Sequence, residues 1–197
     1  PAQVGARVYP TEEMNLAQGL DVRAWLKEGL LDFVVPIMYM YSNLDPNMPF
    51  DWLIQPAHEA DTSVYGFLQH YVRYEDTGAA VKEYPTPEIM RAAAANFWDR
   101  GVDGLYTWFM RWPLGEVERS MLTELGDPDL IKEKKKHYVL PRRSQHASEQ
   151  GYDQSIPLEI PSADPANRYQ IPFYIADDIQ RDNRINQVQL RLYLTNG

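Results

Sequence analysis

Residues 19–41, GLDVRAWLKEGLLDFVVPIMYMY, constrain this chain more than any other stretch. Asp21 suits the cap of a short helix that carries Val22, Trp25 and Leu26 on one face. Gly29 suits its end, because glycine tolerates the left-handed backbone of a helix C-terminus. Residues 33–40 are then almost continuously apolar, the pattern of a strand covered on both faces. The strand ends in Tyr39 and Tyr41 and runs into SNLDPNMPF, whose prolines and Asp45 are turn chemistry. A helix feeding a buried strand with polar aromatics at its carboxyl end is the repeating unit of an α/β barrel or a doubly wound sheet. In both folds the loops at that end make the site.

The chain repeats this unit. Residues 3–9 read as a strand and 11–18 as a loop. Residues 51–60 read as a helix capped by Asp51, with Trp52 near its start and Pro56 expected to kink or shorten it. TSVYGFLQH, residues 62–70, is a β-branched and aromatic strand, and 71–85 a long loop. Thr86-Pro87 pairs a cap with proline at the first helical position. The helix that follows lines up Met90, Ala93, Ala94, Phe97 and Trp98 and stops at Gly101. Residues 102–110 are again a strand, and 114–125 a helix closed by Gly126-Asp127-Pro128. Four strand–helix units in succession predict parallel strands with right-handed crossovers, and four units are half of an eightfold barrel.

After Pro128 the character changes. KEKKK, within 129–136, reads either as an anionic-ligand patch or as a solvated helix or linker. Residues 140–153 show no apolar period. Residues 155–160, 168–175 and 185–194 read as strands, and in the last Val188, Leu190, Leu192 and Leu194 alternate with polar neighbours as in a half-buried antiparallel strand. The predicted fold class is therefore α/β. Residues 1–128 form the C-terminal half of a (β/α)8 TIM-type barrel and 129–153 a linker, and 154–197 begin a β-sandwich-like domain.

Composition narrows the function. A net charge of −9 on 197 residues argues against a nucleic-acid backbone as partner. With no cysteine, disulfides and thiolate metal sites are excluded. His58, His70, His137 and His146 lack metal-ligand spacing, so no metal or cofactor is expected. No apolar run is long enough to span a bilayer. Five Trp and thirteen Tyr suit a core, and equally suit flat ligands such as sugar rings. PAQVGARVYP reads as an interior strand and the closing TNG as a turn leading onward. A fragment of a longer chain is expected, so the lack of a signal peptide leaves a secreted or periplasmic location open.

The string GLDVRAWLKEGLLDFVVP resembles the G-L-D-V-x-x-W-x-x-E-G-L-x-D segment of bacterial glycosyl-hydrolase-like family 10 proteins. GVDGLYTWF followed by LTELGDPDLIKEKKKHYVL is similar to the last barrel strand of that family and its connection to a C-terminal β-domain. Together the likeness covers roughly residues 3–194. It implies a (β/α)8 barrel related to glycosidases, with the strands of this chain as the fifth to eighth, and a poly- or oligosaccharide as partner. A glycosidase usually carries two carboxylic groups, which in barrels related by fold sit at the ends of the fourth and seventh strands. The fourth strand would lie outside this chain. The seventh ends in Gln69-His70 where a glutamate would be expected, which leaves the catalytic residues unassigned and Glu75 and Asp76 as the nearest acids. The alternative is a non-catalytic carbohydrate- or cell-wall-binding protein on a degenerate glycosidase barrel.

The candidate substrate-binding residues are those at strand ends. Tyr39 and Tyr41 either stack on sugar or pack the rim. Trp108 either floors a sugar subsite or packs the barrel rim. Arg7 either binds a carboxylate or hydroxyl in the mouth or forms a structural ion pair. Gln69 and His70 stand at the seventh strand, His70 as a base, a ligand or a satisfied histidine. Arg111 and Trp112 line the cleft or lie on the surface. Gly101-Val-Asp-Gly104 reads as a tight turn on the opposite end from the site, outside the context of a dinucleotide motif.

Overall fold

A computed structural model of the chain describes residues 2–38, 43–74, 81–107, 112–141, 145–156, 158, 160, 168–180, 185, 187–192 and 194. In chain order the elements are β1 (Gly5–Val8), α1 (Glu12–Ala17), α2 (Val22–Lys27), β2 (Phe33–Pro36), α3 (Asp51–Glu59), β3 (Ser63–Leu68), β4 (Val72–Tyr74), β5 (Val81–Glu83), α4 (Pro87–Asp99), β6 (Gly104–Thr107), α5 (Glu116–Leu125), α6 (Pro128–Lys132) and α7 (Gln145–Glu149).

Strands β1, β2, β3 and β6 make one all-parallel sheet in that order. The α/β class and the parallel sheet are as the sequence predicts. A doubly wound sheet reverses its strand order at a switch point; these four strands never do. The helices gather accordingly on one face. There Val8, Val34, Val64 and Leu68 join Val22, Leu26, Leu53, Ala57, Ile89, Ala93, Ala94 and Phe97 in one buried cluster. The pleat sends alternate residues to the other face, where Val35, Ile37 and Phe67 form a second cluster with Phe33 and Tyr65 against it.

Local chemistry explains the edges of these elements. Asp21 caps α2 through the Ala24 N–H at 3.0 Å, and Thr86 caps α4 through the Ile89 N–H at 3.4 Å. Gly29 and Gly101 take φ of 66° and 90° just past their helices, in the left-handed region. Each is followed by an aspartate that repeats one task at the amino end of the sheet. Asp32 Oδ2 accepts the Val4 N–H at 2.6 Å, and Asp103 Oδ2 accepts the Val64 N–H at 2.8 Å and lies 2.9 Å from His58 Nε2. These donors would otherwise lack a ladder partner at a strand start. The motif residues that carry the family resemblance therefore have structural work to do, Asp103 at the end of the sheet opposite the strand carboxyl ends.

Several expectations are corrected. Residues 11–18 are not loop: Thr11 caps α1 by accepting the Met14 N–H at 3.2 Å. Buried Asn15 of that helix clamps the end of β1, accepting the Tyr9 N–H and donating to the Tyr9 carbonyl, both at 2.9 Å. The 71–85 loop contains an antiparallel pair, β4 with β5. Asp51 is the first helical residue of α3 rather than its cap, and Pro56 does not end the helix, which continues to Glu59. The strands expected over 33–41 and 62–70 end at Pro36 and Leu68, and the one expected over 102–110 begins only at Gly104; residues 39–42 and 108–111 lie outside the described residues.

The stretch expected to be a linker packs onto the sheet-and-helix layer. Ile131 is buried in the main core, and Ala147 and Tyr152 close over Met14 and Met38. The Tyr152 hydroxyl donates to buried Asp45. Burial pushes the Asp45 carboxyl above its ordinary value, against the pull of that hydroxyl and of the Asn47 N–H. Nor is the lysine run a free anionic-ligand patch. Lys132 pairs with Asp129, Lys134 with Glu124 at 2.8 Å and Lys136 with Asp177 at 2.9 Å. Of the three strands expected beyond residue 154, none forms a ladder among the described residues. Val188, Leu190 and Leu192 are 60%, 72% and 73% exposed, so the alternating stripe is not half-buried.

Glu124 joins the packed segments electrostatically. It accepts from Lys134, from Arg91 Nε at 2.8 Å and from Ser120 Oγ at 2.9 Å. Lys134 and then Arg91 hold its carboxyl down from 4.5 to about 2. A folded value below the unfolded one stabilises fully above about pH 4.5 and is lost as pH falls through about 2. A shift of that size is worth about 3 kcal/mol in the absence of screening. Lys134 is 41% exposed, so about 1–2 kcal/mol is expected after solvent screening. Glu124→Gln should lower urea stability by that amount at pH 7, with most of the deficit gone by about pH 2.5 and the rest lost below about pH 2. A deficit of the same size at both pH values would assign the effect to packing instead.

Candidate functional site

The carboxyl ends of β3 and β6 open into a cleft of about 640 Å³, within the range of about 300–1,000 Å³ of small-molecule sites. Its position follows from the topology, because the segments leaving parallel strands meet there. β3 delivers His70, β6 delivers Thr107, the segment after β5 brings Tyr84 and Pro85, and the first turns of α4 and α5 close the sides with Thr86, Met90, Glu116 and Glu118. Most of the wall is apolar, with Pro87, Pro113, Val117 and buried Met121 completing it.

An aromatic ladder runs into the cleft. The His70 ring lies 4.0 Å from Tyr71 between centroids, and Tyr71 lies 5.4 Å from Tyr84. Tyr84 is 47% exposed and so offers a ring to a ligand. The polar groups are few: the His70 imidazole, the Thr86 and Thr107 hydroxyls, and two carboxylates on the first turn of α5. Glu118 Oε2 already accepts the Gly115 N–H at 2.9 Å, which fixes it as the reciprocal cap of its own helix. Glu116 stays exposed at the rim. Both carboxylates stand on one turn, so they do not face each other across the cleft as an acid and a base on opposite sides of a bond would. Among the described residues no group of three or more His, Asp or Glu is placed to hold a metal.

The expected site residues separate in space. His70 lines the cleft. Arg7 lines a different recess of about 220 Å³ with Val8, Tyr9 and Ile37, at the end of β1. Gln69, just past the end of β3, is buried. Trp112 is 81% exposed and does not line the cleft. Tyr39, Tyr41, Trp108 and Arg111, and the acids Glu75 and Asp76, lie outside the described residues. Sequence reasoning missed Tyr84, Thr107 and Glu116. Thr107 was accessible to it, since residues at strand carboxyl ends are the default lining. Tyr84 lies in the 71–85 stretch, which reads as a long loop, and Glu116 in the 114–125 helix, whose sequence signals its end at Gly126-Asp127-Pro128 but no ligand.

No helix among the described residues is long and apolar enough to cross a membrane. No protein-family model matches the chain, and no curated protein does either.

Proposed function

We propose that this chain is the C-terminal half of a (β/α)8 barrel from a glycoside hydrolase-like protein that acts on a glycosidic bond of a poly- or oligosaccharide. The observation that carries the reading is the cleft at the carboxyl ends of β3 and β6, with an exposed tyrosine ring and a handful of hydroxyl, imidazole and carboxylate groups. A pyranose has an apolar face that packs on such a ring and an edge of hydroxyls that bonds such groups. The sequential order of four parallel strands supports the barrel, since eight strands in that order close on themselves. The second face of the sheet supports it too: it is apolar, with Val35, Ile37 and Phe67 buried there, as the inward face of an all-parallel barrel is. The two sequence segments similar to glycosyl-hydrolase-like family 10 point the same way.

A second reading is a non-catalytic carbohydrate- or cell-wall-binding protein on a degenerate glycosidase barrel. The lack of an opposed carboxylate pair among the described cleft residues favours it for this part of the chain. Both readings require sugar binding in the cleft. Tyr84→Ala should weaken binding of the best ligand on a glycan array by about tenfold, equivalent to about 1.4 kcal/mol of lost stacking, with thermal stability unchanged because the ring is half in solvent. A glycan dissociation constant indifferent to both Tyr84→Ala and His70→Ala would remove the cleft from the site. Product release from that glycan by the full-length protein separates the hydrolase from the binding protein.

A further inference from the structure

The outer side of α4 carries a polar residue that the helix itself does not account for. Asn96 is fully buried, yet it lies in the middle of an otherwise apolar helix face. Its side chain is satisfied by backbone from two distant segments. Nδ2 donates to the Pro46 carbonyl at 3.2 Å and to the Tyr174 carbonyl at 3.1 Å, and Oδ1 accepts the Ala176 N–H at 3.0 Å. A carbonyl at one residue and an N–H two residues on are the pair that a parallel neighbouring strand would engage. On the other side Asn47 Oδ1 accepts the Tyr174 N–H at 3.2 Å. The Tyr174 hydroxyl donates to Asp99, and the Arg100 guanidinium sits 5.8 Å from the Tyr174 ring centre. Lys136, only 4% exposed, reaches Asp177 at 2.9 Å.

We propose that the 46–47 turn, α4 and Lys136 form a peptide seat that reads an extended Tyr-x-Ala-Asp segment, occupied by this chain's own residues 174–177, which act as a strap. Two buried polar side chains, Asn96 and Lys136, have their bonds completed by the strap. A buried ammonium without a counter-charge, or a buried amide without partners, costs more than either gains in water. Recognition is of both backbone and side chains, as in strand-addition binding. Burial first, then the Asp99 carboxylate, pushes the Tyr174 phenol up to about 12, so the hydroxyl remains a donor throughout the physiological range. Burial and the neighbouring Asp177 carboxylate push the Tyr138 phenol up as well. The strap crosses α4 about 9 Å along the helix from Met90, which lines the cleft. It therefore anchors the C-terminal residues on the helical layer and leaves the cleft free.

The test uses the whole chain. Hydrogen exchange at the Ala176 amide should be slowed about 100-fold against an unstructured peptide, the mark of a bond broken only by local opening. A fluorescent peptide of residues 170–178 should bind the Tyr174→Ala/Asp177→Ala chain, whose own strap is disabled, at least about tenfold more tightly than the unaltered chain, whose seat is filled. The same peptide with its tyrosine replaced by alanine should not bind. An Ala176 amide that exchanges at the free-peptide rate overturns the proposal. So does a strap-disabled chain with unchanged far-ultraviolet circular dichroism that takes up no peptide. Should the double variant not fold, the exchange rate in the unaltered chain decides alone.

Discussion

Phe97→Ala is expected to be the most damaging single change in the described core, costing about 3–5 kcal/mol. The ring is fully buried and meets Phe50 edge to face, with centroids 5.5 Å apart and planes at 69°. Its other side lies against the backbone of β3 at Gly66, where an added Cβ would stand 2.7 Å from Phe97 Cδ2 and 3.0 Å from Phe97 Cβ. That closeness brings α4 down onto the sheet, and the alanines at 93 and 94 allow it. Truncation therefore leaves a void that main chain borders on one side and that neighbouring side chains cannot readily fill. A domain of ordinary stability, about 5–15 kcal/mol, would lose a large fraction of it. Urea unfolding should show a lowered midpoint with an unchanged slope. A loss below about 1 kcal/mol would mean that the helix settles into the space, and that Gly66 does not set its height.

Asn96→Leu comes next, at about 2–4 kcal/mol, although leucine has the same number of side-chain heavy atoms, the same branching and a better helix propensity. The replacement removes one donor group and one acceptor. It leaves the Pro46 and Tyr174 carbonyls and the Ala176 N–H without that partner. The penalty for such groups is the cost of desolvation without compensation, which exceeds the net worth of the bonds themselves. Denaturant titration measures the total, and proteolysis near residues 170–180 separates its parts. Rapid cleavage there with a small change in global stability would place the loss in the strap. A loss of global stability with the strap still protected would place it in the Pro46 bond. A stability equal to that of the unaltered chain would refute the account of Asn96 altogether.

How well the fold could be read depended on the range of the force that decides each part. Where neighbours in sequence decide, the reading holds. Asp21 and Thr86 cap their helices and Gly29 and Gly101 end theirs, because capping groups and backbone freedom act within four residues. The alternation of apolar strands with helices likewise compels a parallel sheet, since a strand reached by a helical crossover returns in the same direction. The candidate site was read in outline only. His70 was placed by its position at a strand end, but Tyr84 and Glu116 come to the cleft through β5 and α5, which reach it by packing rather than by any local signal.

The exposed stripe at Val188, Leu190 and Leu192 shows the other limit. A period of two determines which side chains share a face of an extended chain, and nothing more. A strand also needs a neighbour to complete its ladder, and no residue within the stripe supplies one. The same holds in reverse for residues 129–153. Their composition resembles a linker, yet Tyr152 reaches Asp45 and Lys136 reaches Asp177, and beyond them Asn96 grips the 174–176 backbone. From the sequence alone come the Asp21 and Thr86 caps, the helix ends at Gly29 and Gly101, the direction of the strands and the apolar face of α4. Tertiary structure decided which strands stop short, where the cleft opens and which polar groups are buried. Most of those outcomes depend on partners tens of residues to more than 100 residues away, whose proximity no local pattern encodes.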